Sequence, residues 1–175
     1  MGRDGKCERF ERLIVPHLDA AYDLARWLVR DPAVAQEAVQ EAYLRAYRFF
    51  DSFHGGDGRA WVLAIVRNAC FTALDREPPR ATFEAFDEEC HADTPNGLPP
   101  PEEVAMAREA QALVRDAVAG LPEEFREAIV LRELHGLSYK EIAAVTDAPI
   151  GTVMSRLARG RTALARRLGA PERKK

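Results

Sequence analysis

Apolar residues recur three and four positions apart along most of this chain, the spacing of helices that bury one face. Phe10, Leu13, Ile14, Leu18, Ala21, Tyr22, Ala25, Leu28 and Val29 form the first such row, which Pro16 must kink or restart. Asp31 and Pro32 read as an N-cap and first-turn pair. Val34, Ala35, Ala38, Val39, Ala42, Tyr43 and Ala46 then carry the period to about Phe53. The run from His54 to Gly58 breaks the chain, and a third helix is expected from about Arg59 to Arg76. Its buried side is assigned to Trp61, Val62, Ile65, Val66, Ala69, Ala73 and Leu74. With no strand alternation anywhere, this half predicts a small three-helix bundle.

The second half has the same character. Pro101, Glu102 and Glu103 open a helix whose acids suit the macrodipole, and Val104, Ala107, Leu113, Val114, Ala117 and Val118 form its stripe up to Gly120. Pro122, Glu123 and Glu124 restart the chain, with Phe125, Ala128, Ile129, Leu131 and Leu134 apolar until Gly136. Ser138 followed by Glu141 is a capping box for a short helix packed through Ile142, Ala143 and Val145. Residues 146–149 are a tight break, and a last helix starts near Ile150 with Val153, Leu157, Ala158 and Leu164 inward. Two short helices joined by such a turn, the second strongly basic, make a helix-turn-helix. Thr152, Met154, Ser155, Arg156 and Arg159 are its outward set, placed to reach base edges and phosphates in a major groove.

Charge sharpens this division. The 175 residues carry 25 Lys and Arg against 28 Asp and Glu, and a net charge of −3 taken alone argues against a nucleic-acid binder. The distribution reverses that inference. Residues 77–103 hold eight acids, one base and six of the 11 prolines without apolar periodicity, and so read as an acidic linker. From Ile150 onward there are eight bases, including Arg173, Lys174 and Lys175, and one acid, a phosphate-binding footprint. No run approaches the ~18 apolar residues of a membrane span, and MGRDGKCERF is no signal peptide, so a cytoplasmic location without membrane insertion is expected. Three widely spaced cysteines, Cys7, Cys70 and Cys90, fit neither a disulfide framework nor a zinc pattern, and no cofactor is expected.

Two further clusters carry chemistry. Seven of the 14 aromatics, Tyr43, Tyr47, Phe49, Phe50, Phe53, Trp61 and Phe71, alternate with Arg45, Arg48, Arg59 and Arg67 around the glycine-rich break. Any one ring can be core, but rings beside guanidinium groups suit single-stranded DNA, where bases stack and phosphates meet cations. Glu37, Gln40, Glu41 and Leu44 share one face of the second helix. A metal site there is disfavoured because neither His17 nor His54 has the helical spacing to complete it. A solvated face and a docking face for a basic helical partner are both compatible with these residues.

Residues 35–76, AQEAVQEAYLRAYRFFDSFHGGDGRAWVLAIVRNACFTALDR, resemble region 2 of the extracytoplasmic-function sigma factors of the sigma-70 family. Residues 120–164, GLPEEFREAIVLRELHGLSYKEIAAVTDAPIGTVMSRLARGRTAL, resemble region 4. The resemblance implies an all-α chain with region 2 at 1–76, a linker at 77–101 and region 4 at 102–170. It further implies a non-catalytic subunit that binds core RNA polymerase and promoter DNA and is held by an anti-sigma factor. Glu37, Gln40, Glu41 and Leu44 match the polymerase-docking segment of this family. Phe53, His54, Arg59, Trp61, Arg67 and Asn68 match the element that reads and opens the −10 region, and Thr152, Met154, Ser155, Arg156 and Arg159 the helix that enters the −35 element. Met154 stands where Arg is common, Gly58 where an aromatic is common, and Ala38 where Leu is usual. A dimeric helix-turn-helix regulator that binds duplex DNA without polymerase is the alternative reading. An enzyme or metal sensor built on Cys90, His91, Asp87, Glu88 and Asp93 is disfavoured, since neighbouring residues in a linker do not preorganise a site.

Overall fold

The computed structural model describes residues 3–76 and 101–169, all of the regular structure in them helical. The acidic segment 77–100, with Asp87, Glu88, Cys90, His91 and Asp93, and the basic residues Arg173, Lys174 and Lys175 lie outside the described residues.

The first half contains four α-helices rather than three. Helix α1 (Arg3–Leu13) ends before a single 3-10 turn at Val15–His17, with Pro16 in its first turn, and α2 (Leu18–Val29) starts immediately after it. Proline has no N–H to continue the ladder, so the chain restarts there. Arg30 closes α2 in the left-handed region at φ 64°. Asp31 then caps α3 (Pro32–Phe49), its Oδ1 accepting from the N–H groups of Ala33 at 2.8 Å and Val34 at 3.2 Å. After a 3-10 turn at Phe50–Ser52 and two left-handed glycines, Gly55 and Gly56, α4 runs from Gly58 to Arg76.

Helices α2, α3 and α4 pack on one another around Leu24, Leu28, Ala42, Val62, Leu63 and Val66, all buried. Helix α1 reaches this core through Phe10, whose ring meets Tyr47 and Phe50 edge-on at 5.3 and 5.2 Å, and Ile14, just after the helix, is buried in it. Leu18 and Tyr22, expected inside, are 45% and 40% exposed, because the restart at Pro16 turns the first turns of α2 outward. Leu63 and Cys70 are buried although they lie off the expected face of α4. That helix is covered on more than one side, by α2 and α3 and by α7.

The second half has α5 (Pro101–Ala119), α6 (Glu123–Ile129), α7 (Tyr139–Thr146) and α8 (Ile150–Arg167). Helix α6 does not stay α-helical to Gly136 but widens into one π turn at Val130–Leu134. Ser138 and Glu141 form the expected capping box. Glu141 Oε2 accepts from the Ser138 N–H at 2.6 Å, and the Ser138 hydroxyl together with this N–H holds its carboxyl below the usual range. Asp147 turns the chain at φ 49° into α8. Of the expected stripe of α5, Ala117 and Val118 are buried and Ala107, Leu113 and Val114 are exposed, since the last turns of that helix are the ones that meet α6 and α8.

On α8, Val153 and Leu157 face inward as expected but Ala158 is exposed, and Gly160 is buried in its place. A Cβ at Gly160 would lie 2.9 Å from Ile129 Cγ1 and 3.5 Å from Phe125 Cβ, so α8 crosses α6 at close backbone range. Gly160→Val is expected to cost about 2 kcal/mol through overpacking. Urea unfolding reads this as a lower midpoint, and an unchanged midpoint would mean that α6 and α8 separate freely.

The two halves are not apart. Helix α4 lies against α7, and α2 against α6 and the π turn, so that their buried side chains run into one core.

Candidate nucleic-acid interface

The exposed face of α3 carries Glu37, Gln40, Glu41 and Leu44, the last 50% exposed. Glu41 Oε1 accepts from Arg45 Nε at 2.7 Å, one helical turn on. Beside this face a groove of about 370 Å³ runs between α3 and α4, lined by Val34, Glu37, Ala38 and Glu41 on one wall and Ala69, Thr72 and Ala73 on the other. The small side chain of Ala38 leaves part of that space open. No group of His, Cys, Asp and Glu able to hold a metal ion occurs among the described residues.

The break between α3 and α4 is built on stacked rings. Phe53 is 5% exposed, lies 5.8 Å from Phe50 and 5.1 Å from Trp61, and its carbonyl accepts from Arg9 Nη2 at 3.0 Å. Phe50 and Phe53 are therefore a buried platform for Trp61 and present no free face to a base. Trp61 is half-buried and opens on a cavity of about 490 Å³ with His54, Gly55, Ala60 and Ala64, closed from the other side by Lys140, Glu141 and Ala144 of α7. His54 is exposed, with Nδ1 2.7 Å from the Ser52 carbonyl. Asp57 caps α4 through the Arg59 N–H at 2.9 Å.

About two turns beyond Trp61 on α4 stand the neighbours Arg67 and Asn68. The Arg67 guanidinium lies over the Phe71 ring at 4.5 Å and is paired through Nε with Glu127 of α6, its Nη2 donating to the second carboxylate oxygen at 3.4 Å. Asn68 is exposed and shares with Arg67, Phe71, Glu124, Glu127 and Arg156 the lining of a cavity of about 470 Å³. Of the outward set on α8, Met154, Ser155 and Arg159 are exposed, Thr152 is half-buried, and Arg156 Nη2 donates to Glu124 Oε1 at 3.3 Å. The −10 candidates thus fall into two places, one at the break and the start of α4 and one further along that helix, and the second meets a residue of the −35 set across one cavity.

Several groups here were not singled out by pattern. Glu127 is 2% exposed, and burial raises its carboxyl against the lowering effect of Arg67. His135, 6% exposed at the end of the π turn, has Nε2 3.3 Å from Asp23 Oδ2 and Nδ1 3.3 Å from Arg59 Nη2. Burial and then Arg59 push it down to about 4. Arg126 is pushed down to about 10 by burial and by Arg30, and both guanidinium groups donate to the Ala119 carbonyl at the end of α5. Cys70 is inert, its thiol pushed up to about 12 by burial in α4. Glu124 reads as an ordinary acid of a helix start, and nothing local marks it or Glu127 as partners for arginines 32 and 60 residues away.

Sigma-70 region 2 matches residues 13–78 and Sigma-70 region 4 matches residues 111–164. The chain is 39% identical over 135 residues to the ECF RNA polymerase sigma-E factor of Escherichia coli K12, covering 73% of this chain and 70% of that one. It is 34% identical over 172 residues to the RNA polymerase sigma-H factor of Pseudomonas aeruginosa, covering 94% and 88%. The fold is similar to the sigma factor RpoE of Bartonella quintana, solved with the anti-sigma factor NepR, at TM-score 0.69 and 25% identity over 94% of this chain and 99% of that one. Both matched regions, in this order, and relatives matched over most of their length lead to one assignment: the chain belongs to the sigma-70 family, among the extracytoplasmic-function RNA polymerase sigma factors.

Proposed function

We propose that this chain docks on core RNA polymerase through Glu37, Gln40, Glu41 and Leu44 of α3. It reads and opens the −10 region with Trp61, Arg67 and Asn68 above the Phe53 platform, aided by His54 and Arg59. It reads the −35 element with Thr152, Met154, Ser155, Arg156 and Arg159. The observation that carries this reading is the exposed outer face of the first half of α8, which follows the capped α7 and is held against α6 at Gly160, on a chain whose α3 presents an exposed acidic and apolar face.

The division of labour follows the chemistry. A guanidinium in the major groove takes guanine edges and phosphates bidentately, which suits Arg156 and Arg159. Extruding a base costs a few kcal/mol, which stacking on Trp61 and hydrogen bonds from Asn68 repay. In this reading residues 1–76 and 102–170 act as two units tied by the acidic segment 77–101, whose charge mimics a nucleic-acid strand inside the polymerase. The chain's role is regulatory rather than enzymatic, and it acts in the cytoplasm beside the polymerase. Among the described residues no helix is long and apolar enough to cross a membrane. Since relatives of this fold were solved with anti-sigma factors, we extend such a partner to this chain.

Run-off transcription tests the proposal. Core polymerase with the protein should transcribe from the region upstream of the protein's own gene, and core alone should not. Failure to form a complex with core on gel filtration would sink it, and protection of a palindromic duplex by the protein alone would favour a polymerase-independent regulator. Arg156→Ala should weaken −35 binding by about tenfold, the worth of one good base contact. Asn68→Ala should slow opening while leaving closed complexes intact, read by permanganate reactivity of unpaired thymines.

A further inference from the structure

The break between α3 and α4 is fastened from behind by α1 at three points. Lys6 Nζ donates to Asp51 Oδ2 at 2.7 Å and lies 5.2 Å from the centre of the Tyr47 ring. One turn on, Arg9 donates through Nη2 to the Phe53 carbonyl at 3.0 Å, with its guanidinium 5.2 Å from the centre of the Phe50 ring. At the end of α1 the Leu13 carbonyl sits against Gly58, where an added Cβ would lie 2.5 Å from that oxygen and 3.2 Å from Ile14 Cδ1. Gly58 therefore has a packing reason, since any side chain there would meet the end of α1. Between these points the loop has little to hold it: Gly55 and Gly56 are left-handed, and a Cβ on either would meet nothing within 4 Å. The three fastenings are unequal. Asp51 is 78% exposed, so the Lys6 pair contributes little. Arg9 is half-buried and its bond to the backbone of the buried Phe53 is charge-assisted, which makes it the stronger tie.

We propose that α1 is the frame of the base-reading loop and Arg9 its positioning residue: by holding the Phe53 carbonyl and the Phe50 ring, Arg9 fixes the platform on which Trp61 rests and so sets where an extruded base stacks. This rests on the reading of the break and the start of α4 as the −10 element. Capture of a base repays unstacking only where the receiving ring already stands in place, because ordering a mobile loop at that moment would consume the stacking gain. The Phe53 ring is 5.1 Å from Trp61 and its backbone leads directly into His54 and the two glycines. A shift of the Phe53 backbone therefore moves the support of Trp61 and the entry to the loop together. Arg9 acts through Phe53, on the side of the loop away from the base.

The test uses the full chain with core polymerase and the promoter upstream of the protein's own gene. Trp27→Phe leaves Trp61 as the single tryptophan reporter. In that background Arg9→Ala should raise acrylamide quenching of Trp61 in the free chain and shift its emission to the red. Promoter opening, followed by permanganate reactivity, should slow about tenfold, the worth of one charged hydrogen bond, while complex formation with core on gel filtration stays unchanged. Arg9→Lys, whose ammonium still donates to a carbonyl, should recover most of both readouts. Gly58→Ala should reproduce the loss by pushing α1 off the loop. Arg9→Ala combined with Gly58→Ala should open no more slowly than the slower single variant, because both undo one fastening. An arginine that touched DNA itself would instead lower the salt slope of promoter binding by about one phosphate and leave Trp61 quenching as in wild type. That result, or wild-type opening and quenching by a folded Arg9→Ala protein, would overturn the frame. Should Arg9→Ala unfold by circular dichroism, Gly58→Ala decides the matter with the same readouts. Absence of core-dependent transcription by wild type would remove the −10 reading itself, and Trp61 quenching in the free chain would then decide the frame alone.

Discussion

Glu41→Lys combined with Leu44→Glu is expected to lower core-dependent transcription by at least about 100-fold, with the fold intact. Both side chains stand on the open face of α3, Leu44 half exposed and Glu41 engaged with Arg45 in an exposed pair. A surface pair of this kind contributes about 0.5 kcal/mol, and Lys and Glu are good helix formers, so the helix tolerates the change. The docking surface does not. A central apolar anchor and a charge that meets a basic partner are each worth about 2 kcal/mol or more, and a like charge placed against that partner adds repulsion. A loss near 3 kcal/mol is already about a 100-fold drop in complex. Gel filtration with core enzyme and circular dichroism of the free variant measure the two halves of this statement, and full transcription by a folded variant would remove α3 from the interface.

The second large effect is a pH dependence that runs through His135. Buried at the end of the π turn and facing Arg59, its ring is held neutral down to about 4, although Asp23 Oδ2 lies 3.3 Å from Nε2. An unfolded chain binds that proton near 6.5. Above pH 6.5 neither state is charged and the contribution is constant. As pH falls below 6.5 the unfolded chain takes up the proton first, so folded stability declines until about pH 4 and levels off below it. The loss amounts to about 2 kcal/mol by pH 5 and about 3 kcal/mol at the plateau. His135→Asn should flatten the curve between pH 7 and pH 5 in urea unfolding, by removing the group that titrates. A variant with the same acid slope as wild type would place the sensitivity elsewhere.

Much of the fold was legible from local pattern. The Asp31 cap, the restart at Pro16, the glycine break at 54–58, the Ser138 and Glu141 capping box and the basic last helix are each set by residues within one or two turns of one another. The exposed faces of α3 and α8 were legible for the same reason, since residues three and four apart on a helix share a face whatever the rest of the chain does. Errors arose where a helix met more than one neighbour. Apolar residues occur all around α4, including Leu63 and Cys70, and that was the available sign of a helix covered on several sides. A stripe of apolar positions also promised burial for Leu113 and Val114, but only the end of α5 reaches α6 and α8. The aromatic cluster was read as a base-stacking surface, yet Phe50 and Phe53 spend their faces on each other and on Trp61.

By itself, then, the sequence determined that the chain is helical, where most of its helices start and stop, that the last of them is strongly basic and follows a capped turn, and to which family the two motifs belong. These properties depend on backbone preferences and side-chain spacing over a few residues. The tertiary structure alone decided that Arg67 meets Glu127 and Arg156 meets Glu124, that Trp61 rests on a buried platform and faces α7, and that His135 is enclosed beside Arg59. The three polar contacts among these join residues 32 to 76 positions apart. Periodicity within one helix carries no information about which face of a distant helix will close on it, and that choice follows from how both halves bury the apolar surface each leaves open.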